Sequence, residues 1–283
     1  MPAPQPPFSK HLMRTLWCVL PRCKLSFNVG KFLTRTLLRP EPSSLALPVR
    51  FGGRIPMVLD LASFVANDLY CLDDHYESVT LRLWRELSKR ARFILDIGSH
   101  IGTFALVAAD ANPSAKVIAV EVDDAHFQQL QKHAAGYPNI SPVHAAIADQ
   151  PSTLWFSPGG ANDGAGHLCP EKSRDPRCRP VETRSLSSLC QSLAVPSVDL
   201  IKIDVEGYER ALLAGDLPFW ETYAPANIIL ELTIDRENRA PTDEVFQIMQ
   251  RRGYSFRRIQ GLYAMPFGRR HDLANWHFYR SSL

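Results

Sequence analysis

The sequence lacks the cysteine pairs, the long apolar runs and the strong charge bias that identify several classes of protein. Its six cysteines include no C-x-x-C pair, so a zinc site is not expected. Its apolar runs are too short for a membrane span, and LWCVL is far shorter than the apolar core of a secretion signal. A net charge of +3 is too small to predict binding to nucleic acid. We therefore expect a cytoplasmic protein with reduced thiols and no nucleic-acid partner.

Acidic residues are nearly missing from the first fifty positions, where Glu41 is the only one among many Pro, Arg and Lys residues. We expect residues 1–59 to form a basic, proline-containing extension and residues 60–283 to form a single catalytic domain. Within the extension, HLMRTLWCVL is interpreted as a helix that docks on the domain. A basic amphipathic helix on a membrane or a partner and an organelle transit peptide are the alternatives.

The segment FILDIGSHIGTFALVAAD, residues 93–110, joins an apolar run to a turn with two glycines and then to helical apolar spacing. This pattern predicts a strand, a tight loop and a helix that together bind a cofactor, although it is also compatible with an ordinary strand-to-helix turn. A dinucleotide-binding loop has three glycines, and Asp96 occupies the position of the first. Its carboxylate would repel a diphosphate and attract a cationic amino group, which favours S-adenosylmethionine. We expect Gly98 to let the backbone bend against this ligand and Gly102 to let the next helix approach closely.

A second apolar run, KVIAVEV, ends in Glu121 about twenty residues beyond the glycine loop. Neighbouring parallel strands present their C-terminal ends side by side, so this carboxylate is expected to accept hydrogen bonds from two ribose hydroxyls. Asp123 and Asp124 are better placed than Glu121 to cap the amphipathic run that follows. The expected cofactor-binding set is completed by three further residues: Ser99, Val122 and Ala146.

A third segment, VDLIKIDVEGYERALLAG, predicts a buried strand, a group of acids and a helix closed by Gly215. Together, DIGSHIG, Glu121 and KIDVEGYE resemble the FkbM family of S-adenosylmethionine-dependent methyltransferases, over roughly Tyr76 to Thr233. The resemblance implies a Rossmann-like class I methyltransferase fold, in which a mostly parallel seven-stranded sheet has helices on both faces and an antiparallel last strand. It also implies that Glu77, in the Tyr-Glu before the first strand, helps to close the pocket for the methionine part of the cofactor.

Strands and helices alternate along the rest of the chain, which predicts a parallel sheet. We predict strands at 93–97, 116–122, 141–148, 200–205 and 227–233, and helices at 102–111, 124–137, 206–214 and 242–252. Thr242 is the expected cap of the last helix. The stretch 157–180 has no periodicity and is predicted to be a long loop that either covers the acceptor or is disordered. Cys169 and Cys178 flank it, and free thiols are favoured over a disulfide or a shared metal.

Methyl transfer from a sulfonium depends mainly on positioning, but a hydroxyl acceptor must also lose a proton. The predicted catalytic residues are Asp204, Glu206 and His100, with Asp204 as the first choice for the base and Glu231 as a further candidate. Each of these residues has an alternative role. Asp204 would then contact the cofactor, Glu206 would stabilise the first turn of a helix, and His100 would only pack within the turn. Lys202 is expected to be buried and paired with an acid. No residue set enforces the geometry of a divalent metal, so none is expected.

The acceptor is indicated by a missing motif. Base and amide N-methyltransferases usually carry Pro-Pro-Tyr after the fourth strand, whereas this chain has DVEGYE, so oxygen is the predicted target. The resemblance implies a hydroxyl group of a sugar or a polyketide-type small molecule. Three arginine pairs are either solvated or bind an anionic carrier: Arg251 with Arg252, Arg257 with Arg258, and Arg269 with Arg270. The alternatives are a nicotinamide-dependent oxidoreductase and a non-catalytic methyltransferase-like binding protein.

Overall fold

The structure is a computed structural model that describes residues 6–19, 44–159, 166–235, 240–259 and 271–280. The N-terminal part contains helix α1 (Phe8–Val19), hairpin strands β1 (Ala46–Phe51) and β2 (Ile55–Asp60), and helices α2 (Phe64–Leu72) and α3 (Ser78–Ser88). The middle contains β3 (Phe93–Ile97), α4 (Thr103–Ala111), β4 (Lys116–Glu121), α5 (Asp124–Ala134), β5 (Ile140–His144), β6 (Ala146–Ile147), β7 (Thr153–Ser157), β8 (His167–Cys169) and β9 (Arg179–Arg184). The C-terminal part contains α6 (Leu186–Ser192), β10 (Leu200–Ile203), α7 (Glu209–Ala214), α8 (Leu217–Thr222), β11 (Asn227–Asp235), α9 (Ala240–Arg251), β12 (Ser255–Arg258) and β13 (His271–Tyr279).

A seven-stranded sheet with the order β12-β13-β11-β10-β3-β4-β5 forms the centre of the molecule. The five strands from β11 to β5 are parallel, whereas β13 is antiparallel to both of its neighbours. This arrangement confirms the predicted class I methyltransferase fold with an antiparallel last strand. The carboxyl ends of parallel strands meet at one edge of a sheet, so the segments after β3, β4, β10 and β11 come together there.

Successive residues of the central strands supply two separate apolar cores, one on each face of the sheet. Ile94 belongs to the core that contains the hairpin and helices α2 to α5. Its neighbour Leu95 belongs to the core that contains helices α6 to α9. This strict alternation explains why the apolar pattern predicted most of the main-sheet strands well.

Several predicted element boundaries are wrong: the helix predicted at 124–137 ends at Ala134, and the strand predicted at 200–205 ends at Ile203. Three other elements also differ from their predicted bounds. The strand predicted at 141–148 is divided, because β6 leaves the main sheet and pairs with β9. The helix predicted from Glu206 begins at Glu209, because φ is +49° at Glu206 and +100° at Gly207, outside the helical region. The last helix begins at Ala240, so Thr242 lies inside the first turn and does not cap it.

The segment between β6 and β9 forms a second sheet with the order β6-β9-β7-β8. The prediction of a loop over 157–180 is therefore wrong at β8, whose three residues are too few to show the alternating apolar pattern of a strand. Residues 160–165 lie outside the described part of the chain. Arg179 ties this sheet to the main one, because its Nη2 donates to the Val122 carbonyl at 3.1 Å and lies 3.0 Å from Asp124. Cys169 and Cys178 are free thiols.

The N-terminal hairpin packs into the same apolar core as the main sheet. Leu47, Phe51, Ile55, Met57 and Leu59 are all buried in that core. Helix α1 docks on α2, since Arg14 donates to the Tyr70 carbonyl at 2.8 Å and lies 3.3 Å from Asp73.

The division of the chain at residue 59, which falls within β2, stays a prediction, as do the cytoplasmic location and the exclusion of nucleic acid. Within the described residues, no helix has the length and apolar character needed to cross a membrane.

Substitutions in β2 test whether the hairpin folds together with the catalytic domain. Leu59 is 0% exposed and its neighbour Val58 is 46% exposed. We expect Leu59→Ala to lower the free energy of unfolding by about 2–5 kcal/mol, because it leaves a cavity in the shared core. Val58→Ala is the matched control and should cost less than about 1 kcal/mol. Chemical denaturation measures both, and equal small effects would show that the hairpin adds nothing to the domain core.

Candidate active site

The glycine turn after β3 is in direct backbone contact with the end of β10. Gly98 has φ of +78°, and a Cβ atom at this position would lie 1.8 Å from the carbonyl oxygen of Asp204. The Asp204 amide in turn donates to the Ile97 carbonyl at 3.0 Å. From the sequence, we expected a glycine at position 98 because the ligand approaches the backbone there. In the structure, the glycine is required because the end of a neighbouring strand approaches it.

Gly102 supports helix packing on the other side of the turn. It precedes α4 with φ of +94°, and an added Cβ would lie 2.7 Å from Leu130 Cδ1 on α5. The close approach predicted for this glycine therefore involves α5. Within the turn, Ser99 donates its hydroxyl to the Asp96 carbonyl at 2.7 Å, which holds the loop in shape.

Glu121, the last residue of β4, is fixed by three backbone amides. Its Oε2 accepts from the His100 amide at 2.7 Å, and its Oε1 accepts from the Val122 and Asp123 amides at 2.8 Å each. Burial raises the pKa of this carboxyl to about 7 despite these donors. Asp123 caps α5 as predicted, accepting from the Ala125 and His126 amides. The carboxylate orientation is therefore set by the chain before any ligand arrives.

Asp96 lies beneath the turn and is 0% exposed. Neither of its carboxylate oxygens accepts a hydrogen bond from a described residue. Burial raises the pKa of this carboxyl to about 6, although the nearby Lys202 charge opposes that shift. A direct contact between Asp96 and a cationic amino group stays a prediction.

Lys202 on β10 is buried in a group of acids, as predicted. Its ammonium lies 2.7 Å from Asp204 Oδ2 and 4.6 Å from the centre of the Phe104 ring. Burial disfavours the charged form, but the carboxylates of Asp204, Asp96 and Glu231 outweigh burial and raise the pKa of Lys202. This lysine is therefore a fixed positive charge.

Glu77 and Glu231 lie in the same cavity wall as Lys202. Burial is the main cause that raises the Glu231 pKa well above its ordinary value, followed by the charges of Asp204 and Glu77. Glu77 precedes α3 with φ of +43°, and its Oε2 accepts from Asn275 Nδ2 at 3.3 Å. Among the described residues, no group of three or more His, Cys, Asp or Glu side chains is arranged to hold a metal ion.

His100 adopts a left-handed backbone conformation with φ of +51°. Its ring lies 3.8 Å from the His126 ring, centre to centre, and neither ring nitrogen has a hydrogen-bond partner among the described residues. Burial, with smaller effects from His126 and Lys202, lowers the pKa of His100 well below its usual range. The neutral imidazole is thus a weak proton acceptor at neutral pH.

A cavity of about 240 Å³ opens at the carboxyl edge of the sheet. Its wall contains all the predicted site residues except Asp96 and Gly102. The sequence missed several residues of this wall, namely Asp68, Phe104, His126, Phe156 and Leu168. Of these residues, only Asp68 could have been noticed in the sequence, because it follows Asn67 and the two polar residues interrupt the mostly apolar sequence of helix α2.

The predicted arginine pairs divide between structural and exposed positions. Arg252 donates to the Leu213 carbonyl and packs over the Trp220 ring at 5.0 Å. Arg257 is exposed although its Nε donates to His277 Nδ1 at 3.3 Å, and Arg251 and Arg258 are also exposed. Residues 269 and 270 lie outside the described part of the chain.

Comparison with known proteins places this site in a family. The profile of the methyltransferase FkbM domain matches residues 96–256, which is more than half of the chain. The hexuronic acid methyltransferase AglP of Haloferax volcanii is 26% identical over 172 residues, covering 57% of this chain and 69% of AglP. The 2-O-methyltransferase NoeI of Sinorhizobium fredii is 26% identical over 143 residues, covering 46% of this chain and 59% of NoeI.

The chain is also similar to the solved structure of Aeropyrum pernix fibrillarin with natively bound S-adenosyl-L-methionine. Its TM-score is 0.44 at 14% identity, with 71% of this chain and 74% of the fibrillarin chain covered. The family match includes the glycine turn, Glu121 and the acids after β10. The chain therefore belongs to the FkbM family of S-adenosylmethionine-dependent methyltransferases.

Proposed function

We propose that this protein transfers a methyl group from S-adenosylmethionine to a hydroxyl oxygen of a small molecule of the sugar or polyketide type. The observation that carries this proposal is the cavity that is lined by Glu121, by the acids after β10 and by Glu231 of β11. DVEGYE after β10, where N-methyltransferases carry Pro-Pro-Tyr, supports oxygen as the target. The name of one relative, hexuronic acid methyltransferase, supports a sugar as the acceptor, and the name of the other, 2-O-methyltransferase, supports oxygen as the target atom.

The nucleoside part of the cofactor is assigned to the wall around Glu121. Its Oε2 accepts only the His100 amide and so keeps a second lone-pair site for a ribose hydroxyl, whereas Oε1 already accepts from two backbone amides. Val122 and Ala146 lie nearby in the wall together with Ile147 and Phe156. This apolar surface suits a flat aromatic base, so we assign adenine to it.

The opposite part of the cavity fits the methionine part of the cofactor, which carries a sulfonium, an ammonium and a carboxylate. Glu77 and Glu231 present acids to it, and among the described residues of the wall Lys202 is the only lysine or arginine. Thr103, at the start of the nine-residue helix α4, also lies in the wall. The positive end of this helix suits the ligand carboxylate, with Ser99 in the turn before it.

Replacement of Glu121 tests the cofactor site directly. We expect Glu121→Ala to weaken S-adenosylhomocysteine binding about tenfold or more, since a charge-assisted hydrogen bond to the ribose is lost. Calorimetric titration measures the affinity, and circular dichroism verifies that the variant is folded. Glu86→Ala, at an exposed ion pair with Lys89, is the control and should bind normally. Unchanged affinity in folded Glu121→Ala, or comparable binding of NAD by the parent protein, would contradict the assignment.

We assign the proton acceptor to Asp204. When bound, the sulfonium supplies an electrophilic methyl group, and the acceptor hydroxyl must give up its proton as the carbon–oxygen bond forms. Asp204 Oδ2 is engaged by Lys202, while no described residue donates to Oδ1. Glu206 stands exposed at the rim of the cavity, and we place it on the acceptor side. The neutral His100 ring is placed in the wall beside the cofactor.

Asp204→Asn tests both the base and the reaction. The amide cannot accept the proton, so methylation of any accepted hydroxyl compound should fall by roughly 10² or more, with little change in S-adenosylhomocysteine affinity. A panel of sugars and phenolic polyketides, analysed by mass spectrometry and NMR, identifies accepted compounds and the methylated atom. Asp175→Asn, at an ion pair outside the cavity, is the control. Methylation at nitrogen or carbon would overturn the oxygen assignment, and full turnover by Asp204→Asn would remove this residue as the base.

A further inference from the structure

Arg179 is not part of the cavity wall, yet it holds a residue of that wall in place. It is the first residue of β9 and precedes Pro180, which favours an extended backbone at Arg179. Its Nη2 donates to the Val122 carbonyl at 3.1 Å and lies 3.0 Å from Asp124 Oδ2. Val122 lines the cavity. One guanidinium nitrogen therefore joins the small sheet to the segment that follows β4.

The carbonyl that Arg179 holds belongs to the peptide between Val122 and Asp123. The amide of the same peptide, on Asp123, donates to Glu121 Oε1 at 2.8 Å. A peptide unit is planar, so a rotation that moves its carbonyl also moves its N–H. A cation on the carbonyl also strengthens the hydrogen bond that this N–H donates. Arg179 and the Glu121 carboxylate are thus held at opposite ends of one rigid unit.

The Val122 carbonyl has a second donor, His144 of β5, whose Nε2 lies 3.1 Å away. The His144 ring also stacks on Phe127, with the ring centres 4.5 Å apart, and its Nε2 lies 3.3 Å from Asp124. A carbonyl oxygen has two lone pairs, so both are used here. Loss of Arg179 therefore leaves one donor in place, and we expect a graded effect on the orientation of this peptide.

Arg179 also contacts Phe156, its register partner across β7 and β9. The guanidinium carbon lies 5.5 Å from the centre of the Phe156 ring, within the range of a cation–π interaction. Phe156 and Val122 pack in one apolar cluster, and both line the part of the cavity to which we assign adenine. The contacts of Arg179 therefore support this part of the wall at two points.

We propose that Arg179 is a positioning residue for the nucleoside part of the cofactor. It acts on Glu121 through the peptide between Val122 and Asp123, and it touches no ligand itself. The inference rests on the proposed assignment of the ribose to Glu121. It gives the small sheet a second role besides forming one wall of the cavity, because the position of β9 then sets the orientation of the ribose ligand.

A double-mutant cycle, measured by calorimetric titration with S-adenosylhomocysteine, tests the proposal. We expect Arg179→Gln to weaken binding about threefold to tenfold, because the peptide carbonyl loses its cationic donor. In the Glu121→Ala background, the same substitution should weaken binding by about twofold at most, through the contact with Phe156, since the carboxylate that it orients is absent. A purely structural role would produce the same factor in both backgrounds.

Three further variants define the interaction. Asp124→Asn removes the carboxylate that holds the guanidinium, at a side chain that is 62% exposed, and should reproduce part of the loss in a folded protein. Arg179→Lys keeps the positive charge and should bind with an affinity between those of the parent and Arg179→Gln. Arg184→Gln, at the exposed other end of β9, is the matched control and should bind like the parent. Circular dichroism verifies that each variant is folded.

Two outcomes would overturn the proposal: parent affinity in folded Arg179→Gln, or an equal loss with and without Glu121. If Arg179→Gln does not fold, the same cycle with Asp124→Asn decides, and no loss or an equal loss would refute the proposal. If the parent protein itself does not bind S-adenosylhomocysteine, the cofactor assignment is wrong and the inference falls with it. The parent titration therefore distinguishes failure of the proposed function from failure of the role of Arg179.

Discussion

The site depends on the contact between the backbone of Gly98 and the carbonyl of Asp204. This contact leaves no space for a side chain at residue 98. It joins the turn after β3 to the end of β10, so the two segments can move only together. The turn places the His100 amide against Glu121, and the strand end places Asp204 against Lys202. The cofactor wall and the acid group are therefore parts of one rigid unit.

The charged side chains of that unit determine which ligand charge it favours. Lys202 is shared among Asp96, Asp204 and Glu231, so one buried cation faces an excess of acids. Burial is the main cause that raises the pKa values of Asp96 and Glu231, so both carboxyls keep a proton to a higher pH than a solvated carboxyl does. A nearby cationic ligand favours the charged form of each. Affinity for such a ligand is therefore linked to the protonation of Asp96 beneath the turn and of Glu231 in the wall.

The sequence predicts the main sheet well because its strands alternate between two apolar cores, and the acids at their ends follow from parallel topology. It also locates Glu121, which is the last residue of its strand. Its three amide donors were not predictable, because they come from the shape of two loops that are distant in sequence. The same limit applies to Glu206, whose positive φ no residue type demands, and to β8, which is held by pairing with β7. Phe156 reaches the cavity only through the tertiary position of the small sheet.

The small sheet joins the large one through very few residues. Strand β6 spans only Ala146 and Ile147, and it belongs to the small sheet while both of its residues stay in the cavity wall. Strand β7 pairs with β8 and β9, so a change of length between β7 and β8 leaves the strand pairing of the main sheet unchanged. We expect this small sheet to vary between related enzymes as a unit that includes Phe156 and Leu168. Divergence of one wall of the cavity can then proceed while the remaining walls keep their sequence.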